Sequence, residues 1–440
     1  MLADGSVSSW GSSSTGELGN GGYSQSLTPV ATTPSWLPDI SIVLAYSSLT
    51  AYETGPVFSY MYVSRTGSTA GSLTVSYAMS GPATNGTDYT TATTITIPYA
   101  QAGEYIYVTP VDDSIDEDNE DATVTLSANA SNYSMSGTTS ATLTIQDNDT
   151  AGFTVSGASN NTTEASGANH TATFTVKLNT QPTANVTISI NSSNAAEGTV
   201  STSSLTFTSG NWFTNQTVTI TGVDDFVADG NVAYSVITGA AASADSKYSG
   251  LNPSDVGLSN LDDDVVGFTI SAISGNTTEA GGTATFTVRL SSQPTASVVL
   301  GLSSNNTAEG TVSPASLTFT TGNWSSNQTV TVTGVNDDID DGNVAFTIIT
   351  AAATSGDTGY NGFNPPNVGV INDDNDTAAV VVTESGGTTT VTEGGVTDTY
   401  TVKLQTQPLA SVTVAIATAD GQTSVSPTTL VFTTANWNSA

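Results

Sequence analysis

The stretch FTVKLNTQPTANV (174–186) decides the fold, because it occurs three times in the chain. FTVRLSSQPTASV (286–298) and YTVKLQTQPLASV (400–412) repeat it with few changes. In each copy apolar residues alternate with Thr, Lys or Arg, and a Gln-Pro pair follows. Alternation with period two that ends at a proline is typical of a half-buried β-strand followed by a turn. The repetition predicts a row of similar β domains.

A tryptophan marks a later position of the same repeat. Trp212, Trp324 and Trp437 each follow an asparagine, and spacings of 112 and 113 residues separate them. Further alternating runs between the copies are broken by Gly, Asn, Asp and Pro, which predicts about seven strands in each repeat. Seven strands in roughly 110 residues fit a two-sheet sandwich. We therefore expect an all-β chain of tandem seven-stranded immunoglobulin-like β-sandwiches in an extended string.

The repeats also place the unit boundaries. A more divergent copy precedes the three similar ones, so we expect unit 1 at 38–150, unit 2 at 151–265, unit 3 at 266–377 and a truncated unit 4 at 378–440. Almost no residues are left over as linkers between units, and short linkers favour a stiff string over a flexible one. Residues 1–37 lie outside the repeats and are expected to hold a partial propeller-type repeat and a linker.

Residues 5–30 follow a pattern of their own. A W-G…G-x-L-G-x-G…P arrangement resembles a propeller repeat of the regulator-of-chromosome-condensation type, and it is carried by Trp10, Gly11, Gly16, Leu18, Gly19, Gly22 and Pro29. One such repeat cannot close a propeller. The resemblance implies that a parent protein has further repeats of this type upstream.

Composition narrows the possible functions. The chain has 39 acidic residues against five Lys and Arg, for a formal net charge of −34. It therefore lacks the basic face that nucleic-acid binding needs. No apolar run approaches the roughly 20 residues of a membrane span, and we expect neither a nucleic-acid partner nor direct membrane insertion. The absence of cysteine excludes disulfides and thiolate metal sites.

The acids recur in three kinds of loop. The first turn of each full unit carries one glutamate, a mid-unit loop carries an acidic pair, and an acidic triplet ends the unit: Glu53, Glu164 and Glu279; Asp112-Asp113, Asp224-Asp225 and Asp337-Asp338; Asp147-Asn148-Asp149, Asp262-Asp263-Asp264 and Asp374-Asn375-Asp376. Alternate loops of a sandwich gather at one end, so these acids should converge. Two carboxylates about 5 Å apart repel by roughly 3 kcal/mol at an effective dielectric of about 20. Repeated crowding of this kind predicts a bound cation, and Ca²⁺, which takes about six to eight oxygen ligands, is the one we expect.

Unit 1 adds GTDY (86–89), VDDSIDEDNE (111–120) and DND (147–149), and with these motifs the four units resemble Calx-beta domains. The resemblance implies calcium ligands in unit 1 at Glu53, Asp88, Asp112, Asp113, Glu117, Asp147 and Asp149, with the carbonyl of Ile115 as a further ligand. Units 2 and 3 lack G-T-D-Y, and the sequence leaves open whether Glu197 and Glu309 of AEGTV take its place. The other ligands expected there are Glu164, Asp224, Asp225, Asp229, Asp262 and Asp264 in unit 2, and Glu279, Asp337, Asp341, Asp374 and Asp376 in unit 3.

The function implied by this family is calcium binding in a large surface or secreted protein. Ca²⁺ would make the domain string rigid for adhesion or cell communication, and the partner would be a cell-surface protein or a glycan. Two alternatives remain: a calcium-independent acidic spacer, whose charge serves solubility, and the accessory region of a larger extracellular enzyme. We expect no catalysis within these residues, because His170 is the only histidine and lies outside every repeated feature.

Overall fold

The computed structural model describes residues 7–11, 26–32, 40–46, 49–55, 57–419 and 421–440. The first two strands, β1 (Val7–Gly11) and β2 (Ser26–Thr32), pair antiparallel. Part of the propeller-type pattern lies on these strands, but Gly16, Leu18 and the two glycines that complete it, Gly19 and Gly22, fall outside the described residues. The resemblance to a propeller repeat therefore stays a prediction.

Unit 1 is a sandwich of two five-stranded sheets. One sheet has the strand order β4-β12-β10-β6-β8 and the other has the order β11-β3-β5-β9-β7. The bounds are β3 Ser41–Tyr46, β4 Thr50–Tyr52, β5 Ser59–Thr66, β6 Leu73–Ser80, β7 Tyr89–Thr90, β8 Thr94–Ile97, β9 Gly103–Pro110, β10 Glu120–Leu126, β11 Ser134–Met135 and β12 Ser140–Gln146.

Unit 2 repeats the design with a four-stranded and a five-stranded sheet, ordered β13-β15-β19-β17 and β14-β21-β20-β16-β18. Its strands are β13 Phe153–Val155, β14 Thr162–Thr163, β15 Thr171–Leu178, β16 Val186–Ser192, β17 Gly198–Val200, β18 Ser204–Phe207, β19 Gln216–Gly222, β20 Val232–Thr238 and β21 Val256–Leu261.

Unit 3 has the same topology, with sheets β22-β24-β28-β26 and β23-β31-β29-β25-β27, and one extra short strand, β30, that pairs with β25. Its strands are β22 Phe268–Ile270, β23 Thr277–Thr278, β24 Thr283–Leu290, β25 Val298–Ser304, β26 Gly310–Ser313, β27 Ser316–Phe319, β28 Gln328–Gly334, β29 Val344–Thr350, β30 Thr354–Ser355 and β31 Val368–Asp373.

Unit 4 consists of two separate hairpin sheets, β32-β33 and β34-β35. The strands are β32 Val380–Glu384, β33 Tyr400–Leu404, β34 Val412–Ala415 and β35 Thr429–Phe432, and a short 3-10 turn covers Ser385–Gly387. That turn is the longest helical segment among the described residues from 378 onward, and no helix in the described part of the chain is long and apolar enough to cross a membrane.

Strand alternation builds the cores, as the sequence predicts. Along β15 every second residue is buried, so Phe174, Val176 and Leu178 face the opposite sheet while Thr175 and Lys177 between them face outward. Each unit has its own cluster of buried apolar residues. The prediction of an all-β sandwich fold is confirmed. Units 1 to 3 hold more than seven strands, because short strands of two or three residues, such as β7 and β14, add to the edges of the sheets.

The recurring tryptophans fix the end of the strand that decides the fold. The carbonyls of Trp212, Trp324 and Trp437 accept hydrogen bonds of 2.9, 2.9 and 2.8 Å from the backbone amides of the leucines that end β15, β24 and β33. Their rings pack against the cores of units 2, 3 and 4. This double role explains why the tryptophan returns at a constant interval.

Successive units contact each other through one repeated backbone hydrogen bond. The amide of Gln181, in the turn after β15, donates to the carbonyl of Ser114 in the acidic loop of unit 1 at 2.6 Å. The amide of Gln293 donates in the same way to Phe226, and that of Gln407 donates to Asp338, both at 2.5 Å. The Gln-Pro turn of each unit therefore sits on the acidic loop of the unit before it. We call this contact the junction bond.

Side chains add different contacts at each junction. Nζ of Lys247 in unit 2 lies 3.0 Å from carboxylate oxygens of both Asp116 and Asp118 in unit 1. Between units 2 and 3, the rings of Phe226 and Trp324 lie 5.8 Å apart. The junction bond is thus common to all three junctions, whereas the ion pairs of Lys247 belong to the first junction and the Phe226–Trp324 contact belongs to the second.

Candidate metal centre

The first-turn glutamates are held against the last strand of their unit. The backbone amides of Glu53, Glu164 and Glu279 donate to the carbonyls of Gln146, Leu261 and Asp373 at 3.2, 3.0 and 3.1 Å. Those acceptors immediately precede the acidic triplets. The three glutamates are buried, with exposures of 6, 3 and 3 %. The fold therefore places a buried carboxylate beside each triplet, as the sequence predicts for converging loops.

Each triplet is tied to the acidic loop through its first aspartate. Asp147 accepts from the amide of Glu117 at 2.7 Å, and Asp262 and Asp374 accept from the amides of Gly230 and Gly342 at the same distance. The other oxygen of each aspartate accepts from the third residue of its own triplet, at 2.7 to 2.8 Å. These bonds fix the first aspartate and turn the third one inward.

One aspartate of each acidic pair shapes its own loop. Oδ1 of Asp113, Asp225 and Asp337 accepts from the amide two residues later, at 2.7, 2.7 and 2.8 Å. Such a turn is local and needs only one oxygen of the carboxylate. The other oxygen remains available to a ligand.

Glu197 and Glu309 take the backbone position that Asp88 has in unit 1. The carbonyl of Asp88 accepts from the amide of Val111, just before the acidic pair, at 3.0 Å. The carbonyls of Glu197 and Glu309 accept from the equivalent valines at 3.0 and 2.9 Å. In backbone position the glutamate of AEGTV therefore stands in units 2 and 3 where unit 1 has the aspartate of G-T-D-Y, and its role as a ligand stays a prediction.

The glycine after this glutamate is required by packing. A Cβ added to Gly198 would lie 2.2 Å from the hydroxyl of Tyr234, and one added to Gly310 would lie 2.3 Å from the ring of Phe346. No larger residue fits without moving those rings. The close approach holds Glu197 and Glu309 at the end of the core, where each is only 6 % exposed.

Three sets of carboxylates come close enough to share one ion. In each set the ligand oxygens lie within 4.8 Å of one another, and the sets are Glu164–Asp225–Asp264, Glu279–Asp374–Asp376 and Glu309–Asp337–Asp341. Unit 3 thus contains two such sets. Among the described residues of unit 1 no set is as compact, although Glu53 lies within electrostatic reach of Asp112, Asp113, Glu117 and Asp147.

Four buried oxygens at these loops lack any partner. In the described part of the chain, the buried side-chain nitrogen and oxygen atoms without a hydrogen bond are Oδ2 of Asp149, Oε2 of Glu164, Oε2 of Glu197 and Oδ2 of Asp376. All four are carboxylate oxygens of predicted or newly found site residues. A buried acceptor without a partner costs free energy of about 1–3 kcal/mol, and more when it is charged. A cation coordinated by these oxygens would remove that cost, so the residues fit Ca²⁺.

Burial and mutual repulsion hold protons on several of these carboxylates. Burial first, and then the neighbouring aspartates, raise the pKa of Glu53, Glu164 and Glu279 to about 7. The same causes raise the pKa of Asp264 to about 6 and shift the pKa of Glu197 upward. Perturbed pKa values of this kind cluster at functional sites. In the absence of a cation the sites are poised to exchange protons near neutral pH.

The units differ at one pair of positions in the loops. Nδ2 of Asn148 donates to Oδ1 of Asp112 at 3.1 Å in unit 1, and Asn375 donates to Asn336 at 3.0 Å in unit 3. Unit 2 has aspartate at both positions, Asp224 and Asp263. Two carboxylates cannot bond to each other in this way while ionised. Unit 2 therefore concentrates more negative charge between its pair and its triplet.

Most predicted ligands converge, and a few stand apart. Asp224 and Asp229 lie on exposed loop positions near the others, and the carboxylate of Asp88 already accepts from the amide of Thr84. For Ile115 the amide is engaged by Asp113. Glu393, the first-turn glutamate of unit 4, is exposed. The metal ligands as a set stay a prediction.

Sequence reasoning left Glu197 and Glu309 open and missed two further contributions of acidic residues. The spacing of 112 residues between these two glutamates equals the spacing between Trp212 and Trp324. Burial and the charge of Asp88 raise the pKa of Glu120, which belongs to the same region. Asp116 and Asp340 accept from the amides of Ala151 and Ala378 at 2.7 Å and so join the loop to the next unit. No sequence signal separates these last two from the ligands beside them.

Several solved structures are similar to this chain at low sequence identity. A crystal structure of CBD12 from CALX1.2 is similar to 47 % of this chain and 83 % of its own, with 17 % identity and a TM-score of 0.24. A crystal structure of calcium binding domain CBD12 of CALX1.1 is similar to 46 % of this chain and 80 % of its own, with 18 % identity and a TM-score of 0.26. The structure of domains 4–9 of the surface layer protein SbsC is similar to 78 % of this chain and 48 % of its own, with 17 % identity and a TM-score of 0.21. No curated protein matches the chain.

A family match accounts for more than half of the residues. The Calx-beta domain matches residues 39–149 and residues 260–376. The first match covers unit 1 and its acidic triplet, and the second covers unit 3 together with the end of unit 2. Both contain a first-turn glutamate, an acidic pair and a terminal triplet in the arrangement described above. The chain belongs to the Calx-beta domain family.

Proposed function

We propose that units 1 to 3 bind Ca²⁺ at their acidic loops and that the ion makes the junctions between units rigid. The observation that carries this proposal is the set of four buried carboxylate oxygens without partners. Carboxylates are hard oxygen donors and no sulfur lies in these loops, a donor set that favours Ca²⁺ over softer metals. The one histidine, His170 in the first-turn loop of unit 2, has its Nδ1 3.0 Å from the carbonyl oxygen of Thr163. Calx-beta membership supports the same ion.

The ligand sets follow from the geometry and the sequence together. Unit 1 would use Glu53, Asp88, Asp112, Asp113, the carbonyl of Ile115, Glu117, Asp147 and Asp149. Units 2 and 3 would use Glu164, Glu197, Asp224, Asp225, Asp229, Asp262 and Asp264, and Glu279, Glu309, Asp337, Asp341, Asp374 and Asp376. Each set draws on four separate segments of the unit, so an ion would cross-link the loops at one end of the sandwich.

Calcium at this place would also act on the next unit. The acidic loop that supplies ligands also accepts the junction bond from the following Gln-Pro turn. The triplet that supplies the remaining ligands runs directly into the next sandwich, since β13 and β22 begin within a few residues of it. An ion that fixes the loop and the triplet to each other fixes both ends of the junction. We place the unit boundaries at 150/151, 265/266 and 377/378 on this basis.

Two measurements on the whole chain test the proposal. Calorimetric titration with Ca²⁺ should show binding that matched Mg²⁺ does not reproduce. Small-angle scattering should give a narrower distribution of sizes in Ca²⁺ than in a chelator. Calcium binding would be contradicted if the titration with Ca²⁺ released or absorbed no heat. Calcium-dependent rigidity would be contradicted if the scattering were equal in Ca²⁺, Mg²⁺ and chelator.

A calcium-independent spacer is the second candidate, and the junctions favour it. The backbone bonds from Gln181, Gln293 and Gln407 and the ion pairs of Lys247 are direct contacts between protein atoms of neighbouring units. If these contacts alone hold the units together, Ca²⁺ and Mg²⁺ at equal ionic strength would change the scattering equally, because each would act only by screening charge. The Mg²⁺ arm of the scattering experiment separates this candidate from the first.

The wider setting is a proposal of the same kind. An acidic chain of tandem sandwiches suits the surface or the exterior of a cell, where millimolar calcium matches the affinity of extracellular modules, about 10⁻⁴–10⁻³ M. There the string would space an adhesive or signalling part of a larger protein from its anchor. Immunofluorescence of intact cells with an antibody against units 2 and 3 would contradict this setting if the epitope stayed hidden until lysis.

A further inference from the structure

One sheet of unit 1 carries a ladder of aromatic rings on its outer face. The ladder consists of Phe58, Tyr60, Tyr62, Tyr105 and Tyr107 on β5, β9 and the residue before β5. Ring centroids lie 5.3 Å apart for Phe58 and Tyr107, 5.4 Å for Tyr60 and Tyr105, and 5.0 Å for Tyr62 and Tyr105. Phe58 and Tyr107 are 47 and 49 % exposed. The five adjoining rings thus form one continuous strip, in which Phe58, Tyr105 and Tyr107 are exposed and Tyr60 and Tyr62 are half-buried.

The fold does not require these rings. In the strand pairing, Tyr60 lies opposite Tyr107 and Tyr62 lies opposite Tyr105. The same two cross-strand pairs of the equivalent strands are threonines in the other units: Thr173 with Thr219 and Thr175 with Thr217 in unit 2, and Thr285 with Thr331 and Thr287 with Thr329 in unit 3. Threonine pairs stabilise a sheet face well. The aromatic residues of unit 1 therefore need another explanation.

The outward positions around the rings carry no charged side chain, although the chain is strongly acidic and Glu104 stands next to Tyr105 on β9. The outward positions of β3, β5 and β9 around the rings carry Ser41, Val43, Ala45, Ser64 and Thr109. The one cation of these strands, Arg65, points inward, is 4 % exposed and donates to backbone carbonyls. The net charge of −34 disfavours an anionic ligand by repulsion, and the outward positions named here offer no charged group that could pair with a ligand.

The ring hydroxyls are free to bind a polar partner. Within the described residues, the hydroxyls of Tyr60, Tyr62, Tyr105 and Tyr107 make no hydrogen bond to the protein. Each can act as a donor and as an acceptor. The strip thus offers flat apolar faces and a row of hydroxyls together. An aliphatic protein surface would use the faces and leave the hydroxyls without partners.

From these features we infer that the ladder binds a neutral, linear glycan. A pyranose ring has an apolar C–H face that stacks on the electron-rich face of an aromatic ring. It also has a rim of hydroxyl groups that tyrosine hydroxyls can bind. Successive rings along two adjacent strands suit successive sugars of an extended chain. The site lies on a sheet face rather than in the calcium loops, so this inference does not rest on the proposed function.

The neighbouring units supply the test variant. Replacing Tyr60, Tyr62, Tyr105 and Tyr107 by threonine gives unit 1 the same pairs as units 2 and 3, so the variant is expected to fold. Tyr99, which is 70 % exposed but outside the ladder, provides the control Tyr99→Thr. The whole chain and both variants are passed over immobilised β-1,4-glucan, β-1,3-glucan and mannan, with an anionic alginate as comparison, in Ca²⁺ and in chelator.

We expect the native chain and Tyr99→Thr to bind one of the neutral glycans and not alginate. The quadruple variant should bind at least about tenfold more weakly, while circular dichroism shows an unchanged fold. Binding should persist in chelator, which distinguishes it from calcium-dependent effects. Failure of the native chain to bind any neutral glycan would overturn the inference. So would equal binding by the quadruple variant, or a self-association of the native chain that the variant loses.

Discussion

The ammonium group of Lys247 in unit 2 lies 3.0 Å from Oδ1 of Asp116 in unit 1. Lys247 also donates to the carbonyl of Glu117 at 3.0 Å. A single side chain of one sandwich therefore holds both a carboxylate and the backbone of the acidic loop of its neighbour. Unit 3 has Gly359 at the equivalent position, so the second junction lacks this contact.

Replacing Lys247 by methionine should loosen the first junction and no other. The ion pair is partly exposed, so we expect a loss of stability of only about 0.2–1 kcal/mol. The measurable result is a wider distribution of distances between spin labels placed on units 1 and 2. Labels on units 2 and 3 serve as the control, because their junction uses Phe226 and Trp324 instead. An unchanged distribution between units 1 and 2 would mean that the junction bond alone sets the geometry.

Replacing Glu164 by glutamine should have opposite effects with and without calcium. In chelator at pH 8 the native carboxylate is buried and repelled by Asp225, so its removal should raise stability by about 2 kcal/mol. Glutamine can still accept from Asn260, which donates to Oε1 at 3.3 Å. In Ca²⁺ the variant should lose the stabilisation of unit 2. Thermal unfolding in the two conditions measures both effects.

The exposed Glu393 of unit 4 provides the matched control for this experiment. Glu393→Gln removes the same charge from the same position of the repeat, where the side chain is exposed. We expect it to change unfolding in neither condition. A destabilised Glu164→Gln in chelator would show that the native glutamate is held by a partner other than a cation.

Replacing Asp113 by asparagine should weaken calcium binding and spare the fold. The amide oxygen of asparagine can keep the 2.7 Å bond from the amide of Ile115. A saturating ion stabilises the folded state by about 2.7 kcal/mol at a hundredfold excess over its Kd. The shift in melting temperature on adding Ca²⁺ should therefore shrink, with no change in chelator. Asp338→Asn, which removes an exposed charge of unit 3 outside the ligand set, should leave the shift intact.

Calcium affinity should fall as the pH is lowered from about 8 to about 6. The pKa of Glu53, Glu164 and Glu279 is raised from 4.5 to about 7, so protons compete with the ion in this range. Without calcium the sign is reversed. Because the folded pKa exceeds the unfolded one, the folded state takes up protons first, and stability should rise as pH falls from about 8 toward 5. Denaturant unfolding in chelator at several pH values measures this stability. A free energy of unfolding that falls steadily as the pH is lowered from about 8 to 5 would contradict the prediction.

Asp88→Asn and Glu197→Gln compare the two versions of one ligand position. The sequence predicts that unit 1 binds most tightly, because it keeps the aspartate of G-T-D-Y with a full acidic loop. The orphaned Oε2 of Glu197 instead gives unit 2 an oxygen free of any hydrogen bond. Calorimetry on each variant should show the loss of a different site. The ranking from the sequence is wrong if the tightest site survives Asp88→Asn and disappears in Glu197→Gln.

The local sequence pattern predicts most of the fold, and within the site it predicts that the first-turn glutamates lie beside the triplets. The alternation around Phe174 and the spacing of the tryptophans predict sandwiches, because burial of one strand face is a local property of the sequence. The first-turn glutamates and triplets could be predicted to converge from strand parity alone. The orphaned oxygens could not, since which oxygen keeps a partner depends on backbone amides brought together only by folding. The same holds for Lys247 and Asp116, which are 131 positions apart.

The aromatic ladder shows what a repeat analysis hides. Tyr60 and Tyr62 alternate with buried residues just as the threonines of the other units do, so both patterns predict the same strand. Only the pairing of β5 with β9 brings Tyr105 and Tyr107 beside them. The sequence pattern that the units share therefore does not reveal the one sheet face on which unit 1 differs from units 2 and 3.

The junction bond has a consequence for how such a chain grows. Its donor and acceptor are main-chain atoms, contributed by Ser114, Phe226 or Asp338 on one side and by a glutamine on the other. A tandem duplication of the coding segment for one unit therefore creates a neighbour that already fits, whatever side chain stands at the acceptor. Selection can afterwards add a lysine or an aromatic pair to an individual junction. Chains of this type can thus change length in a single genetic step without losing their connection.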